Sequence, residues 1–321
     1  MKLIVKQLFQ SLSVGLMLPS LLLSAGGAVS NQAEPAPIEP TSFQEPVQPA
    51  KEVWIPVIKK NGRIVAMELE SYISRVVLGE MPASFDEEAL KAQAVAARTY
   101  TLQCIEDGER HNGAVCMDYQ CCQTYMDPEE YVGNRGTQKH VEKVFAAVQQ
   151  TAGQVLTYKG DLICATYFAS AGGVTEDARE VWGEGYPYLI SVESPETSIY
   201  DGEKVYVTSE EFQKKLSVTL SGSPKTWFGP MTYTLGEGVD SVWIGNKKYS
   251  GLELRKIFGL RSTVFTITAD LNGVAFQTTG YGHRVGLSQH GANALADQGY
   301  NYRQILAHYY RGTVLELYTP H

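Results

Sequence analysis

Past residue 50 the apolar positions fall into short stretches whose spacing shifts between two and three or four. Trp54-Ile-Pro-Val-Ile and Ile64-Val-Ala-Met-Glu-Leu flank Asn61-Gly62, which predicts a hairpin with an Asn-Gly turn. Leu69, Ile73, Val76 and Val77 keep helical spacing and predict a helix over 69–78, stopped by Pro82. Ser84-Phe-Asp-Glu87 has the form of a capping box and opens a helix expected over about 87–104. Its Ala89, Ala92, Ala94, Ala96 and Ala97 leave little bulk, so neighbours can pack closely. Residues 107–123 read as a loop. A helix over 139–151 and strands at 155–158 and 163–168 follow. Residues 202–266 read as a smaller α+β insertion, with helices at 209–216 and near 252–258. The chain closes with a helix to about residue 310. Strands and helices do not alternate regularly, so the expected class is α+β, with mixed helices and antiparallel strands forming a cleft.

The first residues follow another pattern. Lys2 and Lys6 precede a charge-free, largely apolar run over 8–29. It is about long enough to span a bilayer. Small residues from Ser24 to Ser30, after a short core at Leu21–Leu23, also suit a cleaved signal peptide. Under either reading, segment 1–29 sends the rest of the chain outside the cytoplasm, anchored to the membrane or secreted. Residues 30–52 are rich in proline and read as an extended tether, so the folded part is expected over 53–321. Hydrophobic residues make up 44% of the 321 and charged residues 19%, which excludes global disorder. Twenty-seven Lys and Arg stand against 35 Asp and Glu, a net charge of −8 with no basic stripe, which argues against a nucleic-acid partner. Nineteen tyrosines hint at a cleft for sugars or peptides.

Three segments carry candidate chemistry. In Val76-Val-Leu-Gly79-Glu80-Met-Pro82 one carboxylate sits among apolar neighbours at a helix end. Burial raises a carboxyl pKa, as a general acid at neutral pH requires. The plain alternative is an exposed helix-terminal glutamate. His111, Cys116 and the adjacent Cys121-Cys122 offer soft ligands for zinc, and in an oxidising compartment equally a disulfide. Adjacent cysteines rarely serve one ion together, so one of Cys121 and Cys122 is expected to bind. Ser170-Ala-Gly-Gly173-Val-Thr175 and Gly282-His283-Arg-Val-Gly286-Leu-Ser288-Gln289-His290-Gly291 are dense in glycine. Backbone there can approach a ligand closely, or simply turn.

The run Gly79-Glu-Met-Pro-Ala-Ser-Phe-Asp-Glu-Glu-Ala-Leu-Lys-Ala-Gln-Ala-Val-Ala-Ala-Arg-Thr-Tyr100 closely resembles the signature of the stage II sporulation protein D family. So do Gly282 to Ala292, Gly299-Tyr-Asn-Tyr and Ile305-Leu-Ala-His-Tyr-Tyr. Ser170-Ala-Gly-Gly-Val-Thr, Val181-Trp182, Tyr188-Leu, Ser250-Gly-Leu-Glu-Leu-Arg and Gly259-Leu-Arg-Ser-Thr-Val-Phe match in the family's order. The resemblance covers about 53–317. It implies a membrane-anchored lytic transglycosylase that cleaves peptidoglycan glycan strands, preferably stripped of stem peptides, during engulfment in sporulation. It implies that Glu80 is catalytic. It also implies an amidase partner, a polytopic membrane protein partner, and structural zinc held by His111, Cys116 and Cys122. Arg98 is expected to bind a lactyl or acetamido oxygen, or to brace the Glu80 loop. Tyr167, Ser170, Gly172, Gly173, Thr175, His283, Ser288 and Gln289 are expected to bind substrate.

Two departures stand out. The family's Gly-His-Gly appears here with Arg284 after His283, and its Tyr-His-Ser-Ser-type strand end appears as Tyr167-Phe168-Ala169-Ser170. The competing functions are a hydrolytic muramidase, a zinc amidase, and a non-catalytic glycan-binding or scaffold component of a cell-wall complex.

Overall fold

In the computed structural model, residues 52–196 and 200–320 are described. The apolar segment 1–29 and nearly all of the tether lie outside them. Trp54–Ile58 (β1) and Ile64–Glu68 (β2) pair antiparallel, Ile58 opposite Ile64. The Gly62 N–H reaches the Lys59 carbonyl and Gly62 takes φ +79°, so a left-handed glycine closes the turn. β2 runs into Leu69–Glu80 (α1), where the Glu68 carboxylate caps the N–H groups of Glu70 and Ser71. Leu69, Tyr72, Ile73, Val76 and Val77 form its buried stripe.

Glu87–Asp107 (α2) follows, and its N-cap is Asp86, which accepts the Glu88 N–H at 2.8 Å. The expected Ser84 cap is not used; the side chain one residue before the helix takes the role. The alanines of α2 are buried on several sides, and the helix is the hub of the larger core. Around it come Val115–Cys116 (β3), Pro128–Asn134 (α3), Gln138–Gln150 (α4), Gln154–Tyr158 (β4), Asp161–Leu162 (β5), Tyr167–Phe168 (β6) and Ala178–Trp182 (α5). Of the expected strand over 163–168 only 167–168 forms, and 163–166 carry no strand. β5 pairs antiparallel with β4, whereas β6 pairs in parallel with Leu287–Ser288 from far along the chain.

A second core is built by Glu203–Thr208 (β7), Ser209–Leu216 (α6), Phe228–Tyr233 (β8), Val239–Ile244 (β9), Lys247–Ser250 (β10), Gly251–Phe258 (α7), Phe265–Ala269 (β11) and Gly273–Thr278 (β12). Two antiparallel sheets, in the orders β10-β9-β8 and β11-β12-β7, enclose it. Phe212 stacks on Phe258 at 5.2 Å and on Trp227 at 5.7 Å between ring centroids. Because β12 pairs with β7, this core continues past residue 266. The chain then returns to the larger core as Leu287–Ser288 (β13), Gln289–Asp297 (α8), Tyr302–Tyr309 (α9) and Val314–Leu317 (β14). The closing helix is broken in two at Gly299, and Asn301 recaps it with a capping box to Gln304. β14 pairs antiparallel with β4, and the sheets are antiparallel apart from β1 with β3 and β6 with β13. The architecture is mixed α+β.

Candidate active site and metal centre

Glu80 is the last residue of α1, and Pro82 prevents the helix from continuing past it. Its carboxylate Oε1 accepts the backbone N–H of Thr124 at 2.6 Å. That contact depends on Gly79: a Cβ there would lie 2.9 Å from Thr124 Cγ2 and 3.1 Å from its carbonyl carbon. The missing side chain lets the 123–124 backbone lie against the helix end. Burial pushes the Glu80 carboxyl up, and the hydrogen bonds from Thr124 offset part of that rise. A carboxyl so placed keeps its proton to a higher pH than a solvated one.

Glu80 opens onto a cleft of about 1010 Å³. Residues 79–84, 122–124, Tyr131, Arg135, His140, 166–169, Tyr200, 281–283, Gln289 and His290 line it. Among the described lining residues Glu80 is the one carboxylate and Arg135 the one guanidinium. Tyr167 donates to Gln123 Oε1 at 2.7 Å, and Gln123 Nε2 donates to Thr101 at 2.7 Å, so a polar chain fixes the residue beside Thr124. The Tyr167 phenol is held far above its usual range by burial, and is a donor throughout. The His283 ring packs between Phe168 and Trp182, each 5.6 Å away. Burial, with Arg255 next, holds its pKa down to about 4, so it faces the cleft neutral. His290 packs against Phe85 and Tyr200, and burial lowers its pKa as well.

The other expected substrate residues form a layer behind the cleft. Ser170 Oγ and the Gly172 N–H donate to Glu196 Oε1, each at 2.8 Å, and Ser288 Oγ donates to Glu196 Oε2 at 2.5 Å. Ser288 also caps α8, the helix that presents Gln289 and His290. Glu196 thus ties the Ser170–Gly172 loop to α8. Thr175 is buried, accepting the Val192 N–H at 2.9 Å. Gly173 lines a separate shallow hollow beside Ser194 and His308. Of the expected set, Glu80, Tyr167, His283 and Gln289 meet in the cleft. Ser170, Gly172, Gly173, Thr175 and Ser288 do not line it.

Arg98 does not line it either. It is fully buried on α2 and forms a bidentate pair with Glu70, Nη2 to Oε2 at 2.5 Å and Nε to Oε1 at 2.9 Å. Its Nη1 donates to the Gln154 carbonyl at 3.1 Å. It braces the first turn of α1, at the opposite end from Glu80. Arg284 is buried too, with φ +68°, the left-handed conformation for which glycine would be unstrained. Its guanidinium donates to the Ala171 carbonyl at 2.8 Å, to Glu176 at 3.1 Å, and to the carbonyls of Val174 and Gly236. Four partners in a buried site hold a backbone that few arginines adopt.

The Cys/His loop converges. One donor atom from each of His111, Cys116, Cys121 and Cys122 lies within 4.8 Å of all the others. His111 Nε2 is 3.1 Å from Cys121 Sγ, and the sulfurs of Cys121 and Cys122 are 4.0 Å apart. All five cysteines are free thiols. Three thiols and one imidazole at this spacing fit a tetrahedral ion of the zinc type. Both adjacent cysteines place their sulfurs in the cluster: a turn at 118–122, closed by N–H groups of both on the Asp118 carbonyl, brings them to one side. Cys122 is followed directly by Gln123 and Thr124, the residues that hold Tyr167 and Glu80.

A family model described as stage II sporulation protein matches residues 58–158. Stage II sporulation protein D of Bacillus subtilis (strain 168) is 35% identical over 315 residues, which cover 93% of this chain and 91% of that protein. The protein of the same name from Bacillus amyloliquefaciens is 35% identical over 285 residues, 86% of this chain and 82% of that one. A protein named amidase enhancer, from Bacillus subtilis (strain 168), is 32% identical over 299 residues, 76% of this chain but 40% of its own length.

Proposed function

The chain belongs to the stage II sporulation protein D family, and from that premise we propose that it is a lytic transglycosylase cutting peptidoglycan glycan strands, preferably peptide-free, during engulfment in sporulation. One observation carries the chemistry: among the described residues, a single half-buried carboxylate, Glu80, lines the cleft. Hydrolytic glycosidases use two carboxylates flanking the bond. One suffices when the nucleophile belongs to the substrate. Glu80 gives its proton to the glycosidic oxygen leaving C1 of the muramic sugar. The resulting carboxylate, steadied by the Thr124 N–H, takes the proton of that sugar's 6-hydroxyl as its oxygen closes onto C1. The product is a 1,6-anhydro end. The intramolecular hydroxyl acts at high effective concentration, so no activated water is required. Tyr167, His283 and Gln289 orient the sugars, and His283 does so as a neutral ring.

His111, Cys116, Cys121 and Cys122 would hold zinc. Such a set supplies cross-linking of a loop rather than a reactive water. The N-terminal apolar segment would anchor the chain outside the cytoplasm. An amidase that removes stem peptides and a polytopic membrane protein are its expected partners; the resemblance to a protein named amidase enhancer supports the first.

Glu80→Gln tests the assignment. It keeps the shape and removes the proton. Cleavage of peptide-free strands should fall about 10²–10⁴-fold with the fold intact by circular dichroism. Unchanged cleavage would refute the role of Glu80.

A further inference from the structure

The cleft contains a cation that the mechanism above does not use. Arg135 follows α3 and is exposed. Among the described residues it forms no ion pair, and its one side-chain hydrogen bond is a long one, Nη1 to the Gly79 carbonyl at 3.4 Å. That bond places it beside the residue preceding Glu80, while the Glu80 carboxylate itself is held by Thr124. Tyr131 and His140 stand beside it, their ring centroids 6.4 Å apart. Among the described residues, His140 Nδ1 is buried with no hydrogen-bond partner. Gly136 makes this possible: a Cβ there would lie 2.7 Å from His140 Nδ1. Arg98, expected to bind a lactyl or acetamido oxygen or to brace the Glu80 loop, is spent on Glu70.

A guanidinium with free forked donors is suited to a carboxylate and much less to a neutral amide. In a glycan strand the muramic sugar carries a lactyl group at C3, on the ring whose C1 bond is broken. With a stem peptide attached, the lactyl carbonyl is a neutral amide. Once the peptide is hydrolysed away it is a carboxylate. We propose that Arg135, flanked by Tyr131 and His140, is the subsite for the free lactyl carboxylate and thereby selects peptide-free strands. The proposal rests on the glycan-cleaving reading and adds the residue that sets its specificity. Arg135 is a specificity residue and takes no part in proton transfer.

The experiment uses full-length Glu80→Gln protein, so that binding is read without turnover. Affinity is measured by calorimetry for three oligomers of equal length: peptide-free glycan with lactyl carboxylates, the same glycan with lactyl amides, and chitooligosaccharide. The carboxylate form should bind about tenfold more tightly than the amide form. Adding Arg135→Gln should erase that preference and leave chitooligosaccharide affinity unchanged. Arg135→Lys, which keeps charge but loses the fork, should restore part of it. Equal binding of the carboxylate and amide forms, or an equal loss for all three ligands on Arg135→Gln, would overturn the inference while leaving the glycan reading in place. Binding of none of the three would overturn both.

Discussion

At the residue scale, Arg98 and Arg135 differ in where their charge goes, Arg135 standing exposed in the cleft. Arg98 lies inside, paired with Glu70 and shielded from solvent. Breaking a buried pair strands one charge, at a cost of about 3–5 kcal/mol. Arg98→Ala and Glu70→Ala should each destabilise by about that much in urea denaturation, with the double variant well short of the sum. Were Arg98 a substrate ligand, its loss would raise KM at unchanged stability. The sequence could not tell these apart. It shows Arg98 on an alanine-rich helix and does not show that Glu70, 28 positions earlier, faces it. Glu80 was legible because its neighbours Gly79 and Pro82 mark a helix end. Its partner Thr124, 44 positions away, was not. Nor was Glu196, the acceptor behind Ser170 and Ser288, since an acidic residue in an ordinary loop carries no local signal.

At the element scale, periodicity located most helices and failed where pairing is non-local. The run over 163–168 is apolar enough for one strand. Only its end forms a strand, β6, paired with β13 about 120 positions on, while β4 takes its partner β5 from just before the run. Helix starts are set by single residues: Asp86 in place of the expected Ser84, and Asn301, which opens α9 after the break at Gly299. The Cys/His loop shows the same limit. Its residue types fitted a soft-metal site or a disulfide equally, and only the turn at 118–122 shows Cys121 beside the other three donors. This loop is continuous with Gln123 and Thr124, so it governs how the 123–124 backbone meets Glu80. On the proposed zinc reading, a chelator should lower cleavage by about tenfold or more and spare the overall fold, because outer support of a site is worth that much. Returning zinc should restore it, with circular dichroism and rate followed together. Full activity in metal-stripped protein, verified by elemental analysis, would show that the loop holds its shape unaided.

At the scale of the whole molecule, two cores are present and the cleft belongs to the larger. The walls come from α1, the 119–124 turn, the α3–α4 junction, β6 and the segment before α8, spread over more than 200 positions. That convergence explains why Tyr131, Arg135, His140, Tyr200 and Tyr281 were missed: none sits in a recognisable motif, and only the fold brings them to Glu80. Arg284 joins the layer behind the cleft to the Gly236 turn of the second core. One acid in such a cleft leads to a definite product. The measurement that tests this most directly is mass spectrometry of fragments from peptide-free glycan strands treated with the wild-type protein. Fragments one water lighter than hydrolytic ones, carrying 1,6-anhydromuramic ends, are expected. Fragments with free reducing ends would contradict the account and make the protein a hydrolase.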